Sequence, residues 1–205
     1  MQSLPLSPLL VGESLELRPL EAVDFAALYG VACDPLIWAQ HQSSTRYQEP
    51  VFRQWFDDAL AARSTLIVID RDSGKVAGSS RYYEFNEDQR EVAIGYTFLA
   101  REKWGGSANK ELKYLMLGHA FQWVDTVWFH VAGSNIRSQR AMEKIGGQLS
   151  HTVLKQVNGG TQENLFFKVE RTAFEGQLSL ARSCPRSIRA TNGQSPAEQA
   201  CRALE

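Results

Sequence analysis

The sequence has few features of membrane, exported or metal-binding proteins. Its longest apolar runs, such as residues 66–69, are far too short to span a bilayer. The first ten residues contain neither a basic segment nor a long apolar segment, so we expect no export signal. The three cysteines, Cys33, Cys184 and Cys201, have neither metal-ligand spacing nor an even count. We therefore expect a cytoplasmic protein with no metal site and no membrane partner.

An excess of positive charge is also missing. The 205 residues include 22 basic and 23 acidic side chains, a formal charge of −1. A nucleic-acid partner is not expected, because such proteins carry a strongly basic face. The charge is unevenly divided: residues 1–170 hold 17 basic and 20 acidic residues, and residues 171–205 hold five basic and three acidic ones. The negative first part weakly favours a cationic ligand.

The end of the chain is poor in large apolar side chains. Residues 171–205 contain one aromatic residue, Phe174, and turn-forming runs at 183–187 and 191–196. Such a composition cannot offset the entropy lost when a packed unit is ordered. We predict one domain over residues 10–170, followed by a poorly ordered tail over 171–205 in which only residues 197–204 favour a short helix.

Hydrophobic periodicity predicts the element order βααβββαβαββ. The strand, loop, helix and strand between residues 91 and 132 indicate a crossover, and hence at least one parallel pair of strands. The sequence thus predicts a mixed α/β domain. The predicted strands cover residues 14–18, 65–70, 75–85, 91–99, 127–132, 149–157 and 164–169.

The glycine-rich segment from Gly105 to Asn109 lies between a predicted strand and a predicted helix. Glycine lets the backbone approach a ligand, and the N–H groups of a first helical turn favour an anion such as a phosphate. The segment lacks the Lys-Ser/Thr pair of a P-loop and is not a dinucleotide fingerprint, so phosphoryl transfer is disfavoured. A plain strand–helix turn is the structural alternative. A second helix is predicted from its Asn135 cap to Gly146.

In this order the segments resemble the GNAT-superfamily N-acetyltransferases, nearest the RimJ/RimL-like branch of ribosomal-protein alanine acetyltransferases. The resemblance covers about residues 10–170. It implies a mixed, mostly antiparallel sheet of about six or seven strands, about four helices, and acetyl-CoA bound where two parallel strands splay apart. It rests on Leu17-Arg18-Pro19-Leu20, Ile94-Gly95-Tyr96-Thr97-Phe98-Leu99, residues 104–113, Leu115-Met116-Leu117, His119-Ala120-Phe121, and Asn135 with Ser138 and Glu143-Lys144-Ile145-Gly146.

The resemblance also implies roles for particular positions. The backbone of Phe98 and Leu99 would bond the pantetheine arm, the amides of residues 105–109 would hold the pyrophosphate, and Asn135 and Ser138 would contact the coenzyme arm. The cofactor-binding candidates are Phe98, Leu99, Arg101, Lys103, Trp104, Gly105, Gly106, Ser107, Ala108, Asn109, Asn135 and Ser138.

Some positions depart from the family pattern. Glu102 stands where Gln or Arg is usual, and Ser107 stands at the last glycine position. Arg101, one residue away, and Lys103 are the alternative sources of positive charge. Met142 occupies the position at which many members place the tyrosine that protonates the leaving thiolate. A water molecule or Ser138 would have to replace that acid.

Acetyl transfer to an amine requires removal of a proton and stabilisation of an oxyanion. An α-amine has a pKa of about 7.7–8.0 and a lysine amine about 10.4, so an α-amine needs only a modest base. Glu91 and Glu84 are the candidate bases, each with a solvated strand-end carboxylate as the alternative. An amide near Phe98 would stabilise the oxyanion. Trp38 and Tyr83 are the candidates for lining the acceptor pocket.

We expect an acetyl-CoA-dependent N-acetyltransferase that acts by direct transfer in a ternary complex. The acceptor is a primary amine, either a small molecule or a protein N-terminus. The alternative is a non-catalytic acyl-CoA-binding or regulatory module, which Met142 and Ser107 favour. The sequence leaves open the identity of the acceptor and the choice between a monomer and a homodimer.

Overall fold

A computed structural model describes residues 3–157 and 160–183. These residues form one eight-stranded sheet and six α-helices. The strands are β1 (Leu10–Val11), β2 (Leu15–Pro19), β3 (Thr65–Asp70), β4 (Val76–Asn86), β5 (Glu91–Leu99), β6 (Thr126–Ala132), β7 (Gln148–Val157) and β8 (Gly160–Glu170). The helices are α1 (Phe25–Ala32), α2 (Pro35–Trp38), α3 (Glu49–Ala61), α4 (Ala108–Ala120), α5 (Ile136–Lys144) and α6 (Arg171–Ser183). None of these helices is long and apolar enough to cross a membrane.

The strand order is β1-β2-β3-β4-β5-β6-β8-β7, which confirms the predicted mixed and mostly antiparallel sheet. Only β5 and β6 are parallel among the neighbouring strands of this sheet, as the crossover predicts. The count of strands and helices exceeds the expected one because β1 has two residues, α2 has four, and α6 was not expected.

The parallel pair is short. It joins Glu91 to Thr126, Val92 to Val127 and Ala93 to Trp128, and beyond these residues the two strands are no longer paired. On its other edge β5 continues along β4 as far as Leu99. The sheet therefore opens between β5 and β6 toward the carboxyl ends of both strands.

A β-bulge in β5 lies beside this opening. The ladder passes from the pair Arg81–Gly95 to the pair Ser79–Phe98, and Tyr96 has a φ of 52°. An extra residue in one strand bends it and increases its twist, which carries β5 away from β6. Across the ladder, a β carbon at residue 78 would lie 2.0 Å from the Phe98 carbonyl oxygen, so this close approach requires Gly78.

Two core clusters lie on opposite faces of the sheet. Helix α4 buries Leu112, Met116 and Leu117 against one face, where the Tyr82 hydroxyl donates to the Met116 carbonyl at 2.7 Å. The other cluster joins α1, α2 and α3 through large side chains such as Phe52 and Trp38. In both clusters, aromatic and aliphatic residues at helical spacing form the apolar faces of the helices. The face that carries α1–α3 is the one onto which Arg81 and Tyr83 point, since side chains alternate along β4.

The ordered structure continues past the predicted domain boundary. Residues 171–183, placed in the tail by composition, form α6. Phe174 is 3% exposed, and its ring lies 5.3 Å from that of Tyr114 and 5.2 Å from that of Phe121. Phe174, together with Leu178 and a 3.2 Å hydrogen bond from the Tyr114 hydroxyl to Gln177 Oε1, docks the helix on α4, an effect that average composition does not reveal. The predicted coil beyond residue 183 and the short helix at 197–204 lie outside the described residues.

Candidate active site

The opening of the sheet exposes backbone groups of β5. Ala100 donates its N–H to the Ala77 carbonyl, so the alternation of an antiparallel ladder directs the polar groups of Phe98 toward β4 and those of Leu99 toward the opening. The Leu99 carbonyl accepts a hydrogen bond from Trp104 Nε1 at 3.0 Å. Leu99 therefore offers its N–H to the opening, whereas Phe98 is directed into the sheet.

The start of α4 adjoins this end of β5. Gly105 has a φ of 75°, a conformation that favours glycine, and it turns the chain into the helix. The cap residue Ser107 makes no side-chain hydrogen bond to the first turn. A first helical turn without a side-chain cap presents N–H groups that can bind an anion.

A cleft of about 470 Å³ lies beside the same loop. The guanidinium carbon of Arg137 lies 3.8 Å from the centre of the Trp104 ring, and the Arg137 amide donates to Gln40 Oε1 at 3.3 Å. Burial lowers the pKa of Arg137 from its ordinary value. The residues that line the cleft are Leu36, Ala39, Gln40, Arg101, Trp104 and Arg137.

Strands β4 and β6 place a carboxylate and an imidazole beside the opening. Tyr83 lies across Gly95, with its Cε1 atom 2.8 Å from the position that a β carbon there would take, and its ring is 5.5 Å from that of His130 on β6. His130 Nε2 is 3.8 Å from Glu84 Oε2. The Glu84 side chain is 67% exposed and its φ is 50°, at an irregular register of β4. Glu84 and His130 thus form a solvent-accessible acid–imidazole pair.

Glu91 occupies the closed end of the opening. It is paired with Thr126, two residues before the strands part, and its carboxylate accepts a hydrogen bond from Trp128 Nε1 at 2.8 Å. This bond ties Glu91 to β6. Of the two predicted bases, Glu84 is therefore the one beside an imidazole, and Glu91 is the one held by an indole.

Lys113 of α4 is buried beneath the bulge. It is 3% exposed, and its Nζ atom donates to Thr97 Oγ1 at 2.7 Å. Thr97 Oγ1 also shares a 2.7 Å hydrogen bond with Ser80 Oγ. Burial lowers the pKa of Lys113 to about 7. The amine thus supports the backbone next to Tyr96 from the α4 side of the sheet.

The acetyltransferase (GNAT) domain model matches residues 14–148. The chain belongs to this family. GNAT acetyltransferases transfer an acyl group from acetyl-CoA to an amine, so the chain is an N-acetyltransferase by family. No curated protein matches the sequence.

Similar solved structures have the same GNAT fold. A GCN5-related N-acetyltransferase from Brucella melitensis is 20% identical with a TM-score of 0.79, and the alignment covers 96% of this chain and 95% of that one. The spermidine N-acetyltransferase from Vibrio cholerae, in complex with CoA and spermine, is 16% identical with a TM-score of 0.64 and coverages of 80% and 99%. RimJ from Mycobacterium smegmatis, in complex with CoA-disulfide, is 14% identical with a TM-score of 0.65 and coverages of 88% and 92%.

The two cations predicted for the GNAT phosphate loop are both ion-paired. Arg101 Nε contacts the Asp34 carboxylate, and Lys103 Nζ contacts the Asp70 carboxylate. Arg137 supplies a cation from α5 instead, and sequence analysis missed it. Its only signal was its position in the first turn of the helix that begins after Asn135.

The two polar candidates of α5 lie together. Asn135 caps the helix and accepts a hydrogen bond from the Ser138 amide at 3.1 Å. This capping role was the structural alternative for Asn135. Met142, at the position of the missing acid, is 3% exposed in the core, so its side chain packs rather than faces the opening.

The two predicted acceptor residues are placed differently. Tyr83 lies at the opening, as described. Trp38 is 2% exposed, donates from Nε1 to the Ala32 carbonyl at 2.7 Å and packs 5.1 Å from the Phe98 ring. A direct contact between Trp38 and an acceptor is therefore disfavoured, because the residue belongs to the core beneath α1–α3. Within residues 3–157 and 160–183, no three His, Cys, Asp or Glu side chains are grouped to hold a metal.

Proposed function

We propose that the chain transfers the acetyl group of acetyl-CoA directly to a primary amine while both substrates are bound. The observation that carries this proposal is the parting of β5 and β6 beside the uncapped start of α4. The first turn of α4 and the Arg137 cleft lie beside the end of β5, and Tyr83, Glu84 and His130 lie on β4 and β6. A coenzyme and an acceptor can therefore meet at the same gap.

On the coenzyme side, the first-turn amides of α4 would hold the pyrophosphate, with Arg137 as the nearby cation. The Leu99 N–H, directed into the opening, would bond an amide of the pantetheine arm. Asn135 and Ser138 remain candidates for contacts to the arm. The phosphate-binding role of residues 105–109 thus rests on backbone groups rather than on Arg101 or Lys103.

On the acceptor side, we assign proton removal to the Glu84–His130 pair. An imidazole nitrogen can accept a proton, and the carboxylate of Glu84 can orient the ring. The amine nitrogen attacks the thioester carbon, its proton passes to His130, and the carbon–sulfur bond breaks to release the CoA thiolate. A thiol has a pKa of about 8.5, so the thiolate leaves near neutral pH and takes a proton from water or Ser138.

The acceptor is a primary amine of one of two kinds. A RimJ/RimL-like role would make it a protein N-terminus, and a relative that acetylates spermidine has the same fold. We keep both a protein N-terminus and a small amine as acceptors. The cytoplasmic location expected from cysteine usage, and a monomeric or homodimeric state, belong to the same proposal.

The alternative is a GNAT module that binds acyl-CoA without turnover. The buried Met142, which leaves no tyrosine acid at that position, is the observation that favours it. Thermal shift with acetyl-CoA and thiol release with a panel of amines separate the two functions. Stabilisation by acetyl-CoA together with thiol release supports the enzyme. Stabilisation without thiol release from any amine supports the module.

Variants test the assignment of the base. His130→Gln and Glu84→Gln should each lower kcat, by about 10²-fold or more for His130, because general-base catalysis contributes about 10²–10⁴. The KM for acetyl-CoA should not change. Glu87→Gln, an exposed acid in the β4–β5 turn, is the matched control. A His130→Gln enzyme with wild-type kcat would rule out the assigned base.

A further inference from the structure

Two arginines lie beside the bulge on the acceptor side of the sheet. Arg81, on β4, is 7% exposed, and its Nε atom donates to Thr65 Oγ1 at 2.8 Å. Its guanidinium carbon lies 4.4 Å from the centre of the Tyr96 ring. Arg81 pairs with Gly95 in the ladder, so the charged group is held at the residue where the bulge begins.

Arg46 approaches the same place from the segment between α2 and α3. Its guanidinium carbon is 5.0 Å from the centre of the Trp38 ring and 5.7 Å from that of Trp55. The Trp55 ring also lies 5.9 Å from the guanidinium carbon of Arg81. The two cations therefore share an aromatic wall, which holds their planar groups in fixed orientations.

In the described part of the chain, neither cation has an acidic partner. Among the described residues, no Asp or Glu oxygen lies within 4 Å of Arg46 or Arg81, although Arg18, Arg53, Arg90, Arg101 and Arg171 all have one. Asp58 influences the pKa of Arg81 only from beyond that distance. The Arg46 Nε and one terminal nitrogen of Arg81 are buried without a hydrogen-bond partner. Buried donors of this kind are costly unless a ligand satisfies them.

The pKa values agree with this geometry. Burial lowers the pKa of Arg46 to about 10; Tyr96 opposes this shift and the charge of Arg81 adds to it. Burial likewise lowers the pKa of Arg81. Both groups remain charged at neutral pH, so the site concentrates two positive charges next to the opening.

We propose that Arg46 and Arg81 bind the carboxylate of the acceptor, which is therefore an amine that also carries a carboxylate. This inference rests on the proposed function. Two guanidinium groups that lack counter-ions and retain buried N–H donors match the two oxygens of a carboxylate.

The spacing suits a small molecule. Arg81 and Tyr83 point to the same face of β4, about 7 Å apart along the strand. The Tyr83 ring is 5.3 Å from the Tyr96 ring and 5.5 Å from the His130 ring. The arginines and the Glu84–His130 pair thus border the same two tyrosine rings, so a carboxylate bound at one end would direct its amine toward the other. The same two cations repel polyamines, which reverses the weak preference for cationic ligands drawn from net charge.

Matched acceptors test this directly. The full chain is assayed by thiol release with acetyl-CoA and alanine, methionine or phenylalanine, each against its carboxamide, and rates are compared per unprotonated amine. We expect kcat/KM to be at least about tenfold higher for the acid than for the amide, since a hydrogen bond to a charged group supplies that much discrimination. Spermidine should be a poor acceptor. O-phosphoethanolamine, against ethanolamine, is the phosphate-bearing comparison.

Substitutions of the two arginines test whether they cause the preference for an acceptor with a carboxylate. Arg81→Gln and Arg46→Gln should each reduce the acid-over-amide ratio toward one without raising the KM for acetyl-CoA. Arg53→Gln, an exposed arginine of α3 that stacks on Phe25, should keep the ratio. Because Arg81 is buried, the Arg46 variant keeps the test valid if the Arg81 variant fails to fold.

Several results would overturn the inference: equal rates for acids and amides, a preference for spermidine, a phosphate-bearing amine that exceeds every amino acid, or an acid preference that survives both substitutions. Thermal shifts with the same acid–amide pairs in the presence of CoA repeat the comparison without turnover, and equal shifts also count against it. Loss of thiol release from every amine, with acetyl-CoA still bound, would instead contradict the proposed function.

Discussion

Lys113 provides a test of the physical chemistry beneath the bulge. Its amine is buried, donates to Thr97, and has a pKa lowered from 10.5 to about 7 by burial. Protonation of the folded protein at this position is therefore costly, and the unfolded chain has no such cost. Lys113→Met removes the charge at similar volume and leaves Thr97 bonded to Ser80. We expect Lys113→Met to be more stable than the wild type at neutral pH.

The magnitude follows from the pKa. At about 1.4 kcal/mol for each pKa unit, a change from 10.5 to about 7 corresponds to about 5 kcal/mol. Replacement of buried charges by apolar groups recovers about 1–4 kcal/mol, which is the gain expected for the methionine variant. Lys113→Arg should be destabilised instead, because a guanidinium cannot release its proton. The variant that keeps the charge should thus be less stable than the variant that removes it.

The sign of the pH dependence is also determined. Between pH 7 and 10.5 the unfolded lysine binds a proton that the folded one does not, so the free energy of unfolding rises with pH across this range. Below pH 7 both states are protonated and the contribution of Lys113 is constant. In Lys113→Met the rise attributable to this residue disappears.

Urea denaturation at pH 6, 7.5 and 9.5 measures these effects. Lys144→Met, at an exposed lysine of α5, is the control and should follow the wild-type pH dependence. A Lys113→Met protein that is less stable than the wild type at pH 6, with the wild-type slope retained above pH 7, would refute the reasoning. Such a result would mean that the folded protein stabilises the charged amine.

Three further predictions concern other sites. Arg137→Gln should raise the KM for acetyl-CoA about tenfold in steady-state kinetics and leave kcat unchanged, because one charge-assisted contact to phosphate is lost. A fall in kcat with an unchanged KM for acetyl-CoA would contradict this. Phe174→Ala should lower the free energy of unfolding by about 3–5 kcal/mol, whereas exposed Glu175→Ala should not; an unchanged midpoint would show that α6 is not docked. Asp24→Asn should lower the free energy of unfolding by about 1–3 kcal/mol at neutral pH. Burial raises the pKa of Asp24, but hydrogen bonds from Arg18 and the Glu21 amide outweigh burial and lower the pKa overall, so the stabilisation is present above pH 3.8 and is lost as the pH falls through the lowered pKa. An acid unfolding transition in the variant that matches the wild type would contradict this prediction.

The parts of the fold that depend on local pattern could be predicted. The hairpins of β3, β4 and β5 follow from alternation and polar turns, and the parallel pair follows from a crossover too long for a hairpin. The docking of α6 could not be predicted, because it depends on contacts between residues far apart in the chain, such as those of Phe174 with Tyr114 and Phe121. The overall composition of residues 171–205 does not show such contacts.

At the candidate site, too, only the features that depend on local sequence could be predicted. The glycine-rich loop and Asn135 were visible because their chemistry lies within a few consecutive residues. The ion pairs of Arg101 with Asp34 and of Lys103 with Asp70 join residues 67 and 33 positions apart, so no local pattern reveals that these cations are neutralised. Arg46, Arg81 and Lys113 have ordinary sequence neighbours, and only the packed structure shows that they are enclosed without acids.

The short β5–β6 pairing has a mechanical consequence. Strands β1–β5 and strands β6–β8 are joined across the sheet by only three residue pairs, those between β5 and β6. Few backbone hydrogen bonds therefore oppose movement of one group of strands against the other. A molecule held in the opening would contact both groups beyond these three pairs, so we expect substrate binding to restrict their relative movement.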